Sequence, residues 1–574
     1  MRNSEVALVF YEIADLLELQ GLPFKPQAYR RAASAIEQVE VDIEQMVDEG
    51  RHRDIPGVGV AIAKKIEELV RTGELDYLKK LRIETPPGLV EMLSIPDVGP
   101  RTAMLLHREL GIASVDELKE AALNHRLRGL RGFGEKTEER ILQGIGVLES
   151  RGGRMLLGEA LPVAEAYVEH LRSRLSIEAI SVCGSLRRGR ETIGDIDILV
   201  GSGDSEDVTS AFVDYPAVEN VLLSGSTKSS VEIQGGLQVD LRVVELESYG
   251  AALQYFTGSK EHNIRVRRLG VEMGLKVNEY GVFERSSNRR VAGDSEHGVD
   301  ESLGLTFIPP ELREDSGEID ASRSLELPEL VDASDVRGDL HVHSDWSDGS
   351  DPIEAIVAAA ARLQYSFIAI TDHTESLTIA NGLTPEMLGK QVDAIRRVQE
   401  IHGDGIQVLA GTEVDIKADG SLDLPSSVLK DLDIVIGSVH SRMKMDSKEM
   451  TERVTNAMES GLVDIIGHPT GRIIGRRDPV KLDIQRIFDV ARETDVAMEI
   501  NAFPDRLDLR DAHCRLAKEH GVTFAIGTDS HSIRHLDYLR LGIITARRGW
   551  LSKDRVLNAM SSDELKRRLR GRRP

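Results

Sequence analysis

Nine residues in the C-terminal part of the chain are of the types that bind transition metals: His341, His343, Asp348, His373, Glu413, His440, His468, Asp529 and His531. Imidazoles mixed with carboxylates suit Zn2+ or Mn2+. Almost every one sits at or just past the end of a short apolar run that reads as a β-strand. The runs are GDLHVHSD, FIAITDH, QVLAGTEVDI, DIVIGSVH, VDIIGHP, AMEINA and TFAIGTDSH. Side chains at the strand ends of an α/β barrel converge on one mouth. One histidine at such a place is more often structural; nine in order imply a multinuclear hydrolytic metal centre. Asp372 is open to two readings, orienting a ligand histidine or capping its strand. Arg442, Arg472 and Arg506 are either guides for a phosphate or ordinary surface residues.

A second set lies upstream, in Val182-Cys-Gly-Ser-Leu-Arg-Arg-Gly-Arg-Glu-Thr-Ile-Gly-Asp-Ile-Asp-Ile-Leu-Val200. Asp195 and Asp197 are two apart at the start of an apolar strand, so both point to one face. Carboxylates ~4 Å apart repel by ~1 kcal/mol in water and ~4 kcal/mol at an effective dielectric of ~20. Such a pair needs cations, and two Mg2+ ions serve an in-line phosphoryl displacement. Asp240, in Leu237-Gln-Val-Asp-Leu-Arg-Val243, supplies a third strand carboxylate. Gly184 and Ser185 form a small turn able to contact a triphosphate, and Arg188 is close by to balance its charge.

The elements that must position these groups follow. Residues 1–150 are helical in pattern, with Gly-containing turns. Residues 151–315 mix strands and helices, 316–336 is acidic and Ser-rich and reads as a linker, and 337–574 alternates strand with helix. In the first block Ile55-Pro-Gly-Val-Gly59, Ile95-Pro-Asp-Val-Gly99 and, more loosely, Leu130-Arg-Gly-Phe-Gly134 each precede a helix. Gly57, Gly59, Gly99, Gly132 and Gly134 allow tight turns and close backbone approach. The helix N-termini behind them favour phosphate. This is the helix-hairpin-helix pattern, which holds DNA backbone without reading sequence.

The middle block resembles the nucleotidyltransferase palm of the family X DNA polymerases. Lys25-Pro-Gln-Ala-Tyr-Arg-Arg-Ala-Ala-Ser34 with Ile55–Gly59 resembles that family's small N-terminal domain. Tyr255-Phe-Thr-Gly-Ser259 and Asn278-Glu-Tyr-Gly281 resemble its nucleotide-selecting subdomain. The resemblance implies that Tyr255 crowds the sugar 2′ position and that Asn263 and Arg267 contact the base and the template minor groove. It places Gly194, Phe256 and Gly258 at the nucleotide too, although Tyr255 and Phe256 also fit plain core packing. It further implies a lyase through a Schiff-base Lys65, with Lys25 and Tyr29 in a 5′-phosphate pocket. A neighbouring pocket lysine of the family is Ala61 here, a departure that puts the lyase in doubt. The C-terminal block is similar to the polymerase and histidinol phosphatase (PHP) superfamily, whose distorted seven-stranded barrel holds up to three ions. All nine ligand positions of that pattern are filled.

Size and composition agree with this multidomain reading, α followed by α/β. A chain of 574 residues exceeds one core. No apolar stretch approaches the ~20 residues of a membrane helix, and the N-terminus lacks signal-peptide features. A cytoplasmic protein with no membrane partner is expected, as a monomer. The two cysteines read as reduced thiols. The net charge of −24 argues against nucleic acid when taken alone. By segment it is about −4 before residue 156, about −15 through 334 and about −5 after. Backbone amides grip phosphate without adding formal charge, which removes the paradox. The basic end KRRLRGRRP reads as a solvated tail.

The leading expectation is a repair polymerase that adds dNTPs to gapped or nicked DNA using Mg2+ at Asp195, Asp197 and Asp240. Its barrel would use Mn2+ or Zn2+ as a 3′–5′ exonuclease, with abasic-site cleavage or 3′-phosphate removal as further activities. The alternatives are a phosphoesterase on small monoesters with an inactive palm, and a non-catalytic scaffold for DNA ends.

Overall fold

A computed structural model describes residues 3–19, 25–38, 43–55, 58–72, 75, 77–78, 80–81, 85, 87–93, 95, 98–130, 133–151, 154–233, 236–402 and 405–571. The chain divides into two compact units, Met1–Gly152 and Gly153–Pro574.

The first unit is helical. Helices Asn3–Leu19, Val60–Thr72 and Pro100–Leu110 are amphipathic and share one core, in which Phe10, Leu17, Ile66 and Leu106 are buried. The three hairpin copies have the same backbone hydrogen bonds. Val58, Val98 and Phe133 each donate N–H to the carbonyl three residues back, at 3.0 Å. Ala63, Ala103 and Glu138 each donate to the carbonyl of the glycine that opens the helix, at 2.9–3.1 Å. In these hydrogen bonds the looser third copy matches the other two.

In the second unit, strands β1 (Met155–Leu156) and β3 (Thr192–Ile193) pair, and β2 (Ala179–Val182), β4 (Asp195–Gly201), β5 (Val218–Ser224), β6 (Lys228–Ile233) and β7 (Leu237–Val244) form a five-stranded sheet. Its order is β2-β4-β7-β6-β5, with β4 and β7 parallel. Ile196 and Ile198 of β4 are buried against helices Leu157–Arg174 and Ser205–Val213, so period-2 alternation turns Asp195 and Asp197 to the other face. Helices Tyr249–Thr257 and Lys260–Glu272 and the sheet of β8 (Leu275–Asn278), β9 (Gly281–Glu284) and β10 (Arg290–Ala292) follow.

Seven parallel strands then run in sequence order: β11 (Gly338–Val342), β12 (Phe367–Ile370), β13 (Gln407–Asp415), β14 (Ile434–Ser438), β15 (Ile465–Ile466), β16 (Ala497–Asn501) and β17 (Phe524–Gly527). A bridge between Val342 and Ser530 draws the two edges together into a nearly closed barrel. The strands are buried on both faces, which is why they read as continuous apolar runs. Leu340, Phe367, Leu409, Ile434, Ile465, Ala497 and Ala525, one from each strand, share a single buried cluster.

Two expectations are corrected. The C-terminal basic run is not a solvated tail up to Gly571: helix Ser562–Gly571 buries Leu565 and Leu569 in that same barrel cluster, and Arg568 pairs with Asp495. Residues 572–574 lie outside the described residues. The segment 316–336 is packed rather than a free linker. Ile319 and Leu330 join a core with Trp550, and the buried Glu318 carboxylate sits 2.7 Å from His262 Nδ1. An acidic, Ser-rich composition hid those few anchors.

Candidate functional site

The palm cluster forms because β4 and β7 pair in a register that sets Asp197 opposite Asp240. One carboxylate oxygen from each of Asp195, Asp197 and Asp240 falls within 4.8 Å of the other two. Burial, then the charges of Asp195 and Asp240, push the Asp197 carboxyl up to about 7. Three acids crowded this way need positive charge, so the residues fit divalent cations. Gly184 has φ +61° and lies so close that a Cβ there would reach 2.2 Å from Asp197 Oδ2. Ser185 follows in the short helix Gly184–Arg187.

Arg188 donates to the Thr257 carbonyl (2.5 Å) beside Gly258 and pairs with Glu314 at 3.1 Å. Gly258 thereby lies against the Arg188 guanidinium. Tyr255 and Phe256 are half-buried, their rings 5.3 Å apart and perpendicular. Asn263 donates to the Tyr255 carbonyl at 2.7 Å, and exposed Arg267 donates to the Asn263 carbonyl at 3.2 Å. Gly194 abuts Arg154. Sequence reasoning missed Arg242, whose guanidinium lies 5.3 Å from the Phe256 ring centre, two residues along β7 from Asp240.

The barrel brings all nine expected ligands together at the C-terminal ends of its strands. Glu413 is the hub. Its Oε2 lies 3.6 Å from His341 Nε2, 3.7 Å from His343 Nε2 and 2.7 Å from His373 Nδ1. Its Oε1 lies 3.3 Å from His440 Nε2 and 2.9 Å from His468 Nε2. Asp529 Oδ1 lies 3.2 Å from His343 Nε2, and Asp348 Oδ1 lies 3.3 Å from His531 Nε2.

The clustering resolves into three overlapping groups: His341, His343 and Asp529; His343, Asp348, His373 and His531; His373, Glu413 and His440. His468 joins through Glu413. Glu413 Oε2, His343 Nδ1 and His468 Nδ1 are buried without a hydrogen-bond partner. Of these, Glu413 Oε2 is the atom on which imidazole nitrogens converge, and a buried acceptor left unsatisfied there fits a bound cation.

The electrostatics agree. Burial opposes charging His440, but Glu413 and Asp415 outweigh it and raise the ring to about 10. Burial likewise opposes a carboxylate at Glu413, yet His373, His440 and His341 hold it well below the usual range. The site demands positive charge, from protons or from metal ions. His468 and Asp529 hold positive φ, 28° and 54°, at a cost of about 1–3 kcal/mol each.

The supporting shell was only partly anticipated. Asp372 orients no histidine: it accepts from Ser344 N (2.8 Å), Ser344 Oγ (2.6 Å), Ser347 Oγ (2.5 Å) and Gln391, fixing the loop that carries Asp348. The residues that orient histidines are Glu499, 2.6 Å from His341 Nδ1, and Asp415, 3.2 Å from His440 Nδ1. Glu499 also accepts from His468 N at 2.5 Å. The only acid inside the apolar run AMEIN was the available signal. Arg506 pairs with Asp529 at 3.4 Å and Arg442 is exposed. Arg472 is not an ordinary surface residue: it is buried, donating to the Arg506 and Leu507 carbonyls and pairing with Glu191.

In the helical unit, a Cβ on Gly59, Gly99 or Gly134 would meet nothing within 4 Å, and all three glycines are exposed. The protein itself does not require glycine there; approach by an outside backbone would. Gly57 and Gly132 lie outside the described residues. Lys65 Nζ sits 4.4 Å over the Tyr77 ring, and Tyr77 stacks on Tyr29 at 6.2 Å. Burial, with Lys25 nearby, lowers the Lys65 pKa. Lys25 itself is exposed, and Cys183 and Cys514 are buried free thiols. No described helix is long and apolar enough to cross a membrane.

Comparison with known proteins matches residues 1–75 to a helix-hairpin-helix domain and 89–146 to a SAM-like helix-hairpin-helix tandem. Residues 252–314 match the DNA polymerase beta thumb, and 339–503 the PHP domain. The chain is 39% identical over 568 residues to the DNA polymerase/3′-5′ exonuclease PolX of Bacillus subtilis (strain 168), covering 98% of each. It is 26% identical over 351 residues to DNA polymerase lambda of Arabidopsis thaliana, 54% of this chain and 62% of that one. A probable phosphatase of Thermoanaerobacter sp. (strain X514) matches 165 residues at 33% identity, 27% of this chain and 65% of the phosphatase.

Proposed function

The chain belongs to the family X DNA polymerases that carry a C-terminal PHP domain, and from that premise we propose that its two ligand clusters divide the work. The enzyme is a DNA repair polymerase with a 3′–5′ exonuclease. In the proposed division the palm cluster extends a primer and the barrel cluster trims it. The observation that carries this is the pairing of Asp197 with Asp240 in one unit with the five imidazoles around Glu413.

In the palm, Asp195, Asp197 and Asp240 would hold Mg2+, and Gly184, Ser185 and Arg188 would receive the dNTP triphosphate. Tyr255, Phe256, Asn263 and Arg267 would orient the deoxynucleotide against the template. In the barrel the nine ligands would hold up to three ions, Mn2+ or Zn2+. Bound divalent cations supply Lewis acidity that activates water near neutral pH and offsets phosphate charge. Glu499 and Asp415 fix the tautomers of His341 and His440, keeping the Nε2 lone pairs turned inward. The Gly59, Gly99 and Gly134 hairpins would hold gapped or nicked DNA by its backbone. The same barrel constellation suits abasic-site cleavage and 3′-phosphate removal. Lys65 is the residue to test for a lyase.

Primer extension and 3′ resection on one gapped substrate test the division. Asp240→Asn should lower extension at least about 100-fold, the several kcal/mol that a lost cation ligand removes, while resection continues. His343→Ala should do the reverse. Extension surviving in Asp240→Asn, or resection surviving in His343→Ala, would overturn the assignment of that cluster.

A further inference from the structure

Between the palm and the barrel lies a cavity of about 210 Å3, lined among others by Arg190, Glu191, Arg472, Arg510, Asp511 and Arg548. Four guanidiniums face two carboxylates, and the carboxylates are already engaged. Glu191 pairs with Arg472 at 2.8 Å, and Asp511 accepts twice from Arg548, at 2.9 and 2.7 Å.

The remaining two cations are less fully compensated. Arg190 is half exposed, and its ion pair with Glu314 is long, at 3.8 Å, to a carboxylate that Arg188 and Arg548 share at 3.1 and 3.0 Å. Arg510 is exposed and makes no ion pair among the described residues.

The same guanidiniums act on a neighbouring imidazole. His513, in the first turn of helix Asp511–Glu519, has a buried Nδ1 with no hydrogen-bond partner. Burial, then Arg510 and Arg472, hold its ring down at about 4.

The position of the cavity says what it is for. One wall continues from the triphosphate loop: Arg548 donates to the Arg188 carbonyl at 2.7 Å, and Gly189 (φ +66°) is pressed so closely on Ile544 that a Cβ would lie 2.1 Å away. The opposite wall includes Leu507 and Arg510, whose segment also carries Arg506 on Asp529 and Asp508 on Thr470 at the metal cluster. The cavity thus stands one chain segment from each cluster.

We propose that this cavity is a phosphate-binding site that takes a backbone phosphate of the DNA strand whose 3′ end is in the barrel. Its arginines receive the phosphodiester oxyanion, and Arg190 and Arg510 supply the surplus charge. The proposal rests on the assignment of 3′ resection to the barrel, and the test separates the two.

The double variant Arg190→Gln/Arg510→Gln is compared with wild type for Mn2+-dependent resection of a single-stranded oligonucleotide. Hydrolysis of bis(p-nitrophenyl) phosphate, too small to reach the cavity, is followed in the same preparations. The oligonucleotide KM should rise about tenfold and the slope of log affinity against log salt should shrink by about 0.7, the one lost phosphate contact for a single strand. Turnover of the small diester should be unchanged, and Arg190→Lys/Arg510→Lys should restore the salt slope, which a merely structural role would not.

Oligonucleotide binding in EDTA, read by fluorescence anisotropy, keeps the site testable if resection proves to lie elsewhere. Equal affinity and equal slope for wild type and the Gln variant would overturn the proposal. So would protection of wild type alone against thermal unfolding by inorganic pyrophosphate with oligonucleotide binding unaffected, which would make this a site for free phosphate.

Discussion

Glu499→Gln is the sharpest test of how the barrel is built. Glu499 Oε1 is 2.6 Å from His341 Nδ1, and Oε2 accepts from His468 N at 2.5 Å. The carboxylate accepts from both, so His341 Nδ1 carries the proton and its Nε2 lone pair faces the other ligands, 3.1 Å from His343 Nε2. Glutamine has one acceptor oxygen. If it keeps the His468 N–H, which holds the backbone of a residue with φ 28°, its NH2 group faces His341. The ring must then present an acceptor at Nδ1 and a proton at Nε2, and it leaves the ligand set. Loss of such an orienting partner lowers metal affinity about 10–100-fold, or about 1.4–2.7 kcal/mol. The assay is calorimetric Mn2+ titration in an Asp240→Asn background, which weakens the competing palm site, with gap filling by the single Glu499→Gln variant as the control. Barrel affinity should drop by that factor and gap filling should be unchanged. An affinity within twofold of the parent would refute the reasoning, because the Glu499 hydrogen bond would then orient His341 for no consequence.

Gly59→Ser and Gly99→Ser add a Cβ into open space while keeping a good N-cap. Thermal stability should change by less than about 0.5 kcal/mol, while binding to nicked DNA, measured by anisotropy, weakens several-fold. Binding of wild type to that DNA should fall steeply with salt, and an affinity flat across the range would contradict a phosphate grip. Leu565→Ala, fully buried in the barrel cluster, should cost about 2–5 kcal/mol in denaturant unfolding monitored on the PHP-matching unit. Dialysis against a chelator should abolish 3′ resection, and Mn2+ should restore it without refolding the chain.

The clustering of the nine barrel residues was legible because residue type and strand ends are both local properties. His341, His373, Glu413 and Asp529 each follow or close an apolar run whose hydrophobicity on both faces already implied burial. The Asp197–Asp240 pairing was legible only as two strand carboxylates; the parallel register that joins them is a non-local choice made by packing. Glu499 escaped because a buried glutamate was weighed as a strand residue rather than as a partner for an imidazole in another strand. Segment 316–336 misled through averaging: its composition is that of a linker, but Ile319 and Leu330 suffice to anchor it once Glu318 finds His262. The basic C-terminus misled in the same way, since Leu565 and Leu569, four apart, were hidden among arginines.

Net charge repeats the lesson on the scale of the whole molecule. A total of −24 is a sum over the chain, whereas a phosphate responds to charge within about a Debye length, ~10 Å at ordinary salt. Glu191, Asp511 and Glu314 each neutralise a neighbouring arginine and are thereby removed from what a ligand in the junction cavity would meet. What it would meet is the surplus of Arg190 and Arg510. Acidity in the palm is likewise drawn toward cations at Asp195, Asp197 and Asp240. An acidic chain can therefore handle an acidic polymer, provided its acids are spent on metals and arginines and its contacts with the strand are backbone amides and a few guanidiniums in surplus.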